Sequence, residues 1–145
     1  MPLRLDAVSP ILLDVLRSLQ SWPQLDRFYL VGGTALTLLL GHRRSIDIDL
    51  FTHNSFDSQE IADGIAHQTD ATELETGKNL VRCFINGVKV DILAHQYPLL
   101  EAIYAEGSIR IASLPDIAAM KLNAVANRGA RKDFWDVAVL LDHYP

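Results

Sequence analysis

The sequence has one cysteine, Cys83, and lacks the long apolar runs that mark membrane proteins. A single thiol excludes an internal disulfide framework and is typical of a reducing compartment. No stretch approaches the roughly 20 apolar residues that a membrane-spanning helix needs. The first ten residues also lack the basic-then-apolar pattern of a secretory signal. We therefore expect a cytoplasmic protein that does not enter a membrane.

Basic residues are in the minority as well. The chain has 13 Lys and Arg against 18 Asp and Glu, which gives a net charge of −5. This balance excludes a protein that binds nucleic acid over its whole surface, so any phosphate-binding patch must be local. A length of 145 residues with 49% hydrophobic and 21% charged residues suits one globular domain. Without repeats or linkers, we predict a single domain over residues 1–145.

Hydrophobic periodicity and turn residues predict an α/β (α+β) domain. Helices are predicted over 10–22, 34–40, 55–68, 114–127 and 131–143, with one helical turn within 97–107. Strands are predicted over 28–31, 45–51, 71–75, 80–85, 88–93 and 109–112. Asn86-Gly87 lies between two apolar runs, which is the strongest short signal for a β-hairpin. The sheet should therefore be at least partly antiparallel.

Two acids on one predicted strand are the most informative residues of the chain. Asp47 and Asp49 project from the same face, about 7 Å apart. The other face carries Ile46, Ile48 and Leu50, which suit a core. Two ionised carboxylates at that distance repel by roughly 2 kcal/mol at an effective dielectric constant of about 20, and Mg²⁺ would compensate them. The alternative is a solvated edge strand whose acids discourage pairing between sheets.

A third acid lies on the polar face of a later strand. Val90 and Ile92 alternate with Lys89 and Asp91, so Asp91 points away from the core face. If this strand lies beside the first, three acids could hold two Mg²⁺ ions with a nucleoside triphosphate between them. The alternative is that Asp91 faces solvent.

A pair of glycines separates the first predicted strand from the next helix. Gly32 and Gly33 would let backbone N–H groups approach an anion, and the helix N-terminus adds a positive dipole end. Thr34 could cap the helix or donate its hydroxyl group to a phosphate oxygen. Thirteen residues separate Gly33 from Asp47, enough for one helix and a turn, and Arg44 in that turn could contact phosphates. The alternative is a tight turn that binds no ligand.

Basic residues cluster near the C-terminus. Lys121 and Arg128 are seven residues apart and share a helical face, and four of the 13 basic residues lie within 121–132. Asp133 and Asp136 share a face of the last helix and could orient these cations by ion pairing. The alternative is a pair of surface helices joined by salt bridges.

Other notable side chains are assigned to packing. Cys83 lies on an apolar strand and is expected to be buried rather than nucleophilic. Phe134 and Trp135 are expected in the core.

Two segments together resemble a known enzyme family. FYLVGGTALTLLLGHRRSIDIDLF (28–51) and KLNAVANRGARKDFWDV (121–137) resemble the nucleotidyltransferase core of the DNA polymerase β superfamily. More narrowly, they are similar to the AbiEii toxin-type nucleotidyltransferases of abortive-infection and type IV toxin–antitoxin systems. The matching residues are the glycine pair, a strand of the R-x-S-x-D-x-D type (Arg43, Ser45, Asp47, Asp49), and K-x-x-A-x-x-x-R followed by K/R-D-x-x-D.

The resemblance implies a nucleotidyltransferase-like mixed sheet flanked by helices in a single minimal domain. It also implies transfer of a nucleoside monophosphate from a triphosphate such as ATP to an acceptor hydroxyl, with two Mg²⁺ ions or Mn²⁺ in their place. The implied metal ligands are Asp47, Asp49 and Asp91, which with Lys121 are the catalytic residues. The implied nucleotide-binding residues are Gly32, Gly33, Thr34, Arg44, Ser45, Lys121, Arg128 and Asp133.

The resemblance is compatible with several acceptors and partners. The resemblance suggests the 3′ end of tRNA, while related minimal enzymes modify a protein or a small molecule. A partner toxin or antitoxin chain, or a homodimer, would complete the site. The competing hypothesis is a non-catalytic nucleotide-binding or protein-interaction module, antitoxin-like, that retains the fold. The acids favour catalysis, because a decayed site would be expected to lose them first.

Overall fold

The computed structural model describes residues 2–127 and 131–143, which form helices and the strands of a β-sheet. The helices are α1 (Pro10–Gln20), α2 (Gly32–Leu40), α3 (Ser58–Gln68), α4 (Leu114–Asn127) and α5 (Arg131–His143), with 3₁₀ turns at Leu5–Ala7 and Pro23–Leu25. The strands are β1 (Tyr29–Val31), β2 (Asp47–Thr52), β3 (Thr72–Gly77), β4 (Leu80–Ile85), β5 (Val88–Ala94), β6 (Tyr104–Glu106) and β7 (Ile109–Ile111). None of the helices in these ranges is long and apolar enough to cross a membrane.

The described strands form one seven-stranded sheet in the order β3-β4-β5-β2-β1-β7-β6. Strand β2 runs parallel to β5, and β1 runs parallel to β7. The remaining neighbours are antiparallel. The predicted α/β class with a partly antiparallel sheet is confirmed.

Local sequence signals set several of the element boundaries. The Ser9 hydroxyl accepts a hydrogen bond from the Leu12 backbone N–H (3.1 Å) and begins α1. Gly41 ends α2 in the left-handed conformation, with φ of 65°. Asn86 and Gly87 both have positive φ, as the tight turn of a two-residue hairpin requires. These predicted boundaries are confirmed.

The core lies on one face of the central strands. Helix α1 contacts β2, β5 and β7, and α3 contacts β3 and β4. Alternate residues of the central strands are fully buried, namely Ile48, Leu50, Val81, Cys83, Val90 and Ile92. Burial raises the pKa of the Cys83 thiol to about 11, so this side chain packs as an apolar group, as predicted. The residues between them on β2 and β5 point to the opposite face, where the acids lie.

Three local predictions are wrong. Segment 97–107 forms no helical turn, because the backbone N–H groups of Leu100 and Glu101 donate to the carboxylate of Asp116 and β6 follows. Ile46 is 77% exposed, because the β2 alternation begins at Asp47 rather than at residue 45. Trp135 is 55% exposed and does not enter the core.

Candidate functional site

The three predicted acids line one cavity of about 400 Å³. The parallel pairing of β2 with β5 places Asp49 directly opposite Asp91, and Asp47 opposite Lys89. Because side chains alternate along a strand, Asp47 and Asp49 point to the same side of the sheet as Asp91. The chain therefore brings three carboxylates from two adjacent strands to one surface.

The glycine turn forms the wall beside these acids. Strand β1 is antiparallel to β2, with Val31 opposite Asp49, so Gly32 and Gly33 lie next to the acidic pair. Gly32 has φ of 76°, and a Cβ at this position would lie 2.5 Å from Asp49 Oδ2. A Cβ on Gly33 would collide with the guanidinium group of Arg43. The close approach of this turn to the acids therefore requires glycine.

A Gly32→Ala substitution should disturb the acids as well as the backbone. The positive φ costs about 1–2 kcal/mol for a residue with a Cβ, and the added methyl would displace the Asp49 carboxylate. Gly87→Ala is the matched control, since Gly87 has φ of 79° and nothing lies within 4 Å of its Cβ position. Urea denaturation should show a loss of stability for both variants, and Gly32→Ala alone should weaken the binding of added Mg²⁺ to the acids. Equal binding of Mg²⁺ by the two variants would contradict this role of Gly32.

The remaining walls come from the turn before β2, from the ends of β2 and β5, and from α4 and α5. Their cavity-lining residues are Arg43, Ser45, Phe51, Lys89, His95, Ile117, Met120, Lys121, Asn123 and Lys132. Among these, Arg43, Lys89, Lys121 and Lys132 carry positive charge, so the cavity has a local basic patch in a protein of net negative charge. Of the basic cluster predicted within 121–132, Lys121 and Lys132 line the cavity, while Arg128 and the side chain of Arg131 lie outside the described residues.

The carboxylates strongly influence one another. Burial, followed by the charges of Asp91 and Asp47, raises the pKa of Asp49 to about 6, although Lys132 and Lys121 oppose this shift. Arg82 Nε donates to Asp91 Oδ1 at 2.7 Å, and Lys132 Nζ lies 3.4 Å from Asp47 Oδ2. Because like charges this close disfavour one another, a cation bound among the three carboxylates would be favourable.

A divalent cation fits this donor set after a small rearrangement. Within residues 2–127 and 131–143, no three His, Cys, Asp or Glu side chains stand grouped as ready metal ligands. The side chains of Arg82 and Lys132, which pair with Asp91 and Asp47, are 42% and 49% exposed and can swing away into solvent. Carboxylate oxygens are the ligands that Mg²⁺ prefers, and such an ion would neutralise the charges of Asp91 and Asp47, which raise the pKa of Asp49 in addition to burial.

The metal-free protein should lose stability as the pH rises from about 4 to about 6. The pKa of Asp49 is about 6 in the folded chain against 3.8 ordinarily, so the folded state binds more protons in this window. Stability is therefore fully present below 3.8 and is lost through pH 6, by at most about 3 kcal/mol. Denaturation in EDTA should show this loss of stability in the wild type and in Asp142→Asn. The free energy of unfolding of Asp49→Asn should not change over the same pH range. A parallel pH profile for Asp49→Asn would contradict the assignment.

A buried ionic cluster supports the cavity from behind. Asp136 of α5 is fully buried and accepts hydrogen bonds from Arg43 Nε (2.8 Å), Lys121 Nζ (2.8 Å) and the His42 ring. Burial opposes ionisation, but these three donors outweigh it and hold the pKa of Asp136 well below its usual range. The cluster fixes Arg43 over Gly33 and joins α4 to α5.

Some predicted site residues lie elsewhere. The buried Thr34 hydroxyl donates to the Asp47 carbonyl and shares a 2.6 Å hydrogen bond with the Ser45 hydroxyl, so it fixes the start of β2 and does not line the cavity. Arg44 is exposed and outside the cavity, while its neighbour Arg43 lines it. Arg128 and the side chain of Asp133 lie outside the described residues.

The residues predicted for the site do not include Arg43 or Lys89, or the aromatic residues at the far end of β2, and they include Lys132 only as a member of the basic cluster within 121–132. A signal existed for Arg43, which stands at the first position of the R-x-S-x-D-x-D pattern. Phe51 continues the alternation of Asp47 and Asp49 along the same face. A signal existed for Lys132 as well, because it belongs to the basic cluster within 121–132 and is the first residue of the K/R-D-x-x-D pattern.

Comparisons with known proteins agree with this fold. The family model described as nucleotidyl transferase AbiEii toxin, type IV TA system, matches residues 14–98 and 88–145. The uncharacterized protein aq_aa25 of Aquifex aeolicus (strain VF5) is 40% identical over 118 residues, which cover 79% of this chain. The chain spans 57% of the length of that relative.

Two solved structures are similar in fold. JHP933 from Helicobacter pylori has a TM-score of 0.60 at 21% identity, over 94% of this chain and 68% of its own. The Megavirus polyadenylate synthase has a TM-score of 0.59 at 19% identity, over 93% of this chain and 30% of its own. At these identities the likeness concerns the fold alone. The family match extends over most of the chain, and the protein therefore belongs to the AbiEii nucleotidyltransferase family.

Proposed function

We propose that this chain is a metal-dependent nucleotidyltransferase that moves a nucleoside monophosphate from a nucleoside triphosphate to an acceptor hydroxyl. The observation that carries the proposal is the register of β2 and β5, which sets Asp49 opposite Asp91 and beside Asp47. These carboxylates face a cavity whose other wall is the glycine turn. Membership of the family supports the same reaction class.

The acids would hold the metal. Asp47, Asp49 and Asp91 are the proposed ligands of two Mg²⁺ ions, with Mn²⁺ as a substitute. Held by these carboxylates, such ions would polarise the α-phosphate and lower the pKa of the acceptor hydroxyl.

The glycine turn and the basic residues would hold the triphosphate. Gly32 and Gly33 open α2, where backbone N–H groups point outward and the helix dipole favours an anion. Arg43, Lys89 and Lys132 line the same end of the cavity. The guanidinium group of Arg43 lies over Gly33, Lys89 is opposite Asp47 in the strand pairing, and Lys132 pairs with the Asp47 carboxylate. These three side chains would neutralise the β- and γ-phosphates.

The remaining residues would serve the transfer step. The acceptor oxygen forms a bond to the α-phosphorus, and the bond from that phosphorus to the bridging oxygen breaks, releasing pyrophosphate. The hydroxyl proton passes to a carboxylate, for which we propose Asp91, as base or shared metal ligand. Lys121, held by Asp136 at 2.8 Å and lining the cavity, would stabilise charge on the phosphates. Arg128 and Asp133 remain proposed nucleotide-binding residues.

The family description supports a proposal for the biological setting. We propose that residues 1–145 act as one cytoplasmic nucleotidyltransferase domain within a toxin–antitoxin pair, with a partner chain or a second copy completing the assembly. The proposed acceptor is an RNA end such as that of tRNA. A polyadenylate synthase among the similar folds is consistent with an RNA acceptor.

Transfer of a labelled phosphate group would test this function. The purified chain is incubated with Mg²⁺, total cell RNA or total protein, and each of the four triphosphates labelled at the α- or at the γ-phosphate. Nucleotidyl transfer predicts that the α-label enters the acceptor fraction, that the γ-label does not, and that EDTA abolishes labelling. Incorporation of the γ-label would indicate phosphoryl transfer instead, and absence of α-label from every fraction would contradict the proposal.

A further inference from the structure

Three aromatic side chains lie in contact at one end of the cavity, two of them lining it and the third packed beside them. Phe51 of β2 stacks on His95, with ring centroids 5.3 Å apart and an interplanar angle of 18°. Tyr97 follows, with its ring centroid 5.1 Å from that of His95 at 54°. Phe51 and His95 line the cavity, and Tyr97 is 71% exposed. We call Phe51, His95 and Tyr97 the aromatic wall.

The aromatic wall and the basic residues lie at opposite ends of the acidic strand. The glycine turn, Arg43 and Lys89 surround the beginning of β2 near Asp47. Phe51 is four residues further along β2, about 13 Å from Asp47 at the usual rise of a strand. The metal-binding acids therefore lie between an end suited to phosphate and an end suited to flat rings.

The direction of the reaction assigns an occupant to each end. In phosphoryl and nucleotidyl transfer, the attacking and the leaving oxygen lie roughly in line on opposite sides of the phosphorus. If pyrophosphate leaves from the basic end, the acceptor must approach from the end where the aromatic wall stands. An acceptor that carries a nucleobase could place that base against the wall while its hydroxyl faces the acids.

The imidazole of His95 suits a stacking role. Burial lowers its pKa, and His53 adds to that effect, although Asp116 opposes it, so the uncharged form of the ring is favoured. Its Nδ1 atom is buried and has no hydrogen-bond partner among the described residues. A neutral ring leaves its faces free of net charge, and bases of every type stack on such surfaces.

We infer that the aromatic wall of Phe51, His95 and Tyr97 is a stacking subsite for a nucleobase of the proposed RNA acceptor. This inference rests on the proposed function, because the in-line argument assumes transfer to an acceptor. It is tested by binding, without turnover.

The test compares short single-stranded RNAs that differ at the 3′ end. Each fluorescently labelled RNA ends either in one of the four normal nucleotides or in an abasic nucleotide, and affinity is measured by fluorescence anisotropy. Tyr97→Ala should weaken binding of the normal RNAs by about 10-fold and leave binding of the abasic RNA unchanged. Tyr97→Phe, which keeps the ring, should bind as the wild type does. Tyr104→Ala, at an exposed tyrosine of β6 outside the wall, is the matched control.

A second arm separates the acceptor base from the base of the donor nucleotide. Calorimetric titration with each of the four nucleoside triphosphates should give the same affinities for the wild type and Tyr97→Ala. A loss of triphosphate affinity in Tyr97→Ala would assign the wall to the donor base and overturn the inference. The inference would also be overturned if Tyr97→Ala lost the same affinity for normal and abasic RNAs, or lost affinity for neither. A wild type that binds none of the RNAs would overturn it as well. Transfer of the α-label with no effect of Tyr97→Ala on RNA binding would leave the proposed function standing without the subsite.

Discussion

Asp49→Asn and Asp47→Asn should each reduce the rate of nucleotide transfer by roughly 10³-fold, while the fold stays intact. A metal ion contributes several kcal/mol of transition-state stabilisation, and each 1.36 kcal/mol corresponds to a factor of ten in rate. An amide in place of either carboxylate removes a charged ligand from a site where Asp49 already has Asp47 and Asp91 as acidic neighbours. The rate is measured in a single turnover with a triphosphate labelled at the α-phosphate.

Stability measurements separate this effect from unfolding. Removing a charge from crowded carboxylates relieves repulsion, so both variants should be at least as stable as the wild type in EDTA at pH 7. The gain should be larger for Asp49→Asn, whose pKa is raised to about 6 in the folded chain. Asp142→Asn, at an exposed position of α5, makes the same chemical change outside the cavity and should keep the wild-type rate. If the double variant Asp47→Asn/Asp49→Asn transferred label at the wild-type rate, the site would be assigned to the wrong residues.

The elements that the sequence predicted well are those set by neighbouring residues. Ser9 and Pro10 fix the start of α1, Gly41 fixes the end of α2, and Asn86-Gly87 closes the β4–β5 hairpin. Each depends on a cap or on a backbone conformation that a single residue type favours. Such signals need no knowledge of the rest of the fold.

The arrangement of the site depends on contacts between distant segments. Sequence alternation shows that Asp49 and Asp91 each face away from the core, but their direct opposition follows from the parallel register of β2 and β5. That register is set by the packing of the strands' buried faces, which no local pattern reports. The prediction for segment 97–107 is wrong for a similar reason, because the backbone N–H groups of Leu100 and Glu101 donate to the carboxylate of Asp116, a residue of the following helix.

The two adjacent arginines illustrate the same limit at one turn. Both carry the same charge next to the acidic strand, and the sequence alone favoured Arg44 for the site. In the structure, Arg43 is held by Asp136, which lies 93 residues further along the chain, and Arg43 Nη1 donates to the Arg44 carbonyl at 3.0 Å. This long-range ion pair directs Arg43 over Gly33 and leaves Arg44 in solvent.

The buried carboxylate that directs Arg43 should also be a major determinant of stability. Asp136→Asn removes the negative charge that pairs with Lys121 and Arg43, whose side chains are 6% and 19% exposed. Breaking a buried ion pair by removing one partner costs about 3–5 kcal/mol, a large part of the roughly 5–15 kcal/mol that stabilises a typical domain. Urea denaturation at pH 7 should show this loss for Asp136→Asn and almost none for Asp142→Asn.

The pH dependence of stability tests whether Asp136 acts through its charge. Its folded pKa is depressed, so its contribution is present above the ordinary carboxyl range and is lost as the pH falls through the lower folded value. The difference between wild type and Asp136→Asn should therefore persist at pH 4 and shrink only in stronger acid. The rate of nucleotide transfer by the folded fraction of Asp136→Asn should also fall, because Lys121 and Arg43 lose the carboxylate that holds their side chains in the cavity wall. A variant as stable as the wild type at pH 7 would show that His42, Arg43 and Lys121 do not depend on this carboxylate.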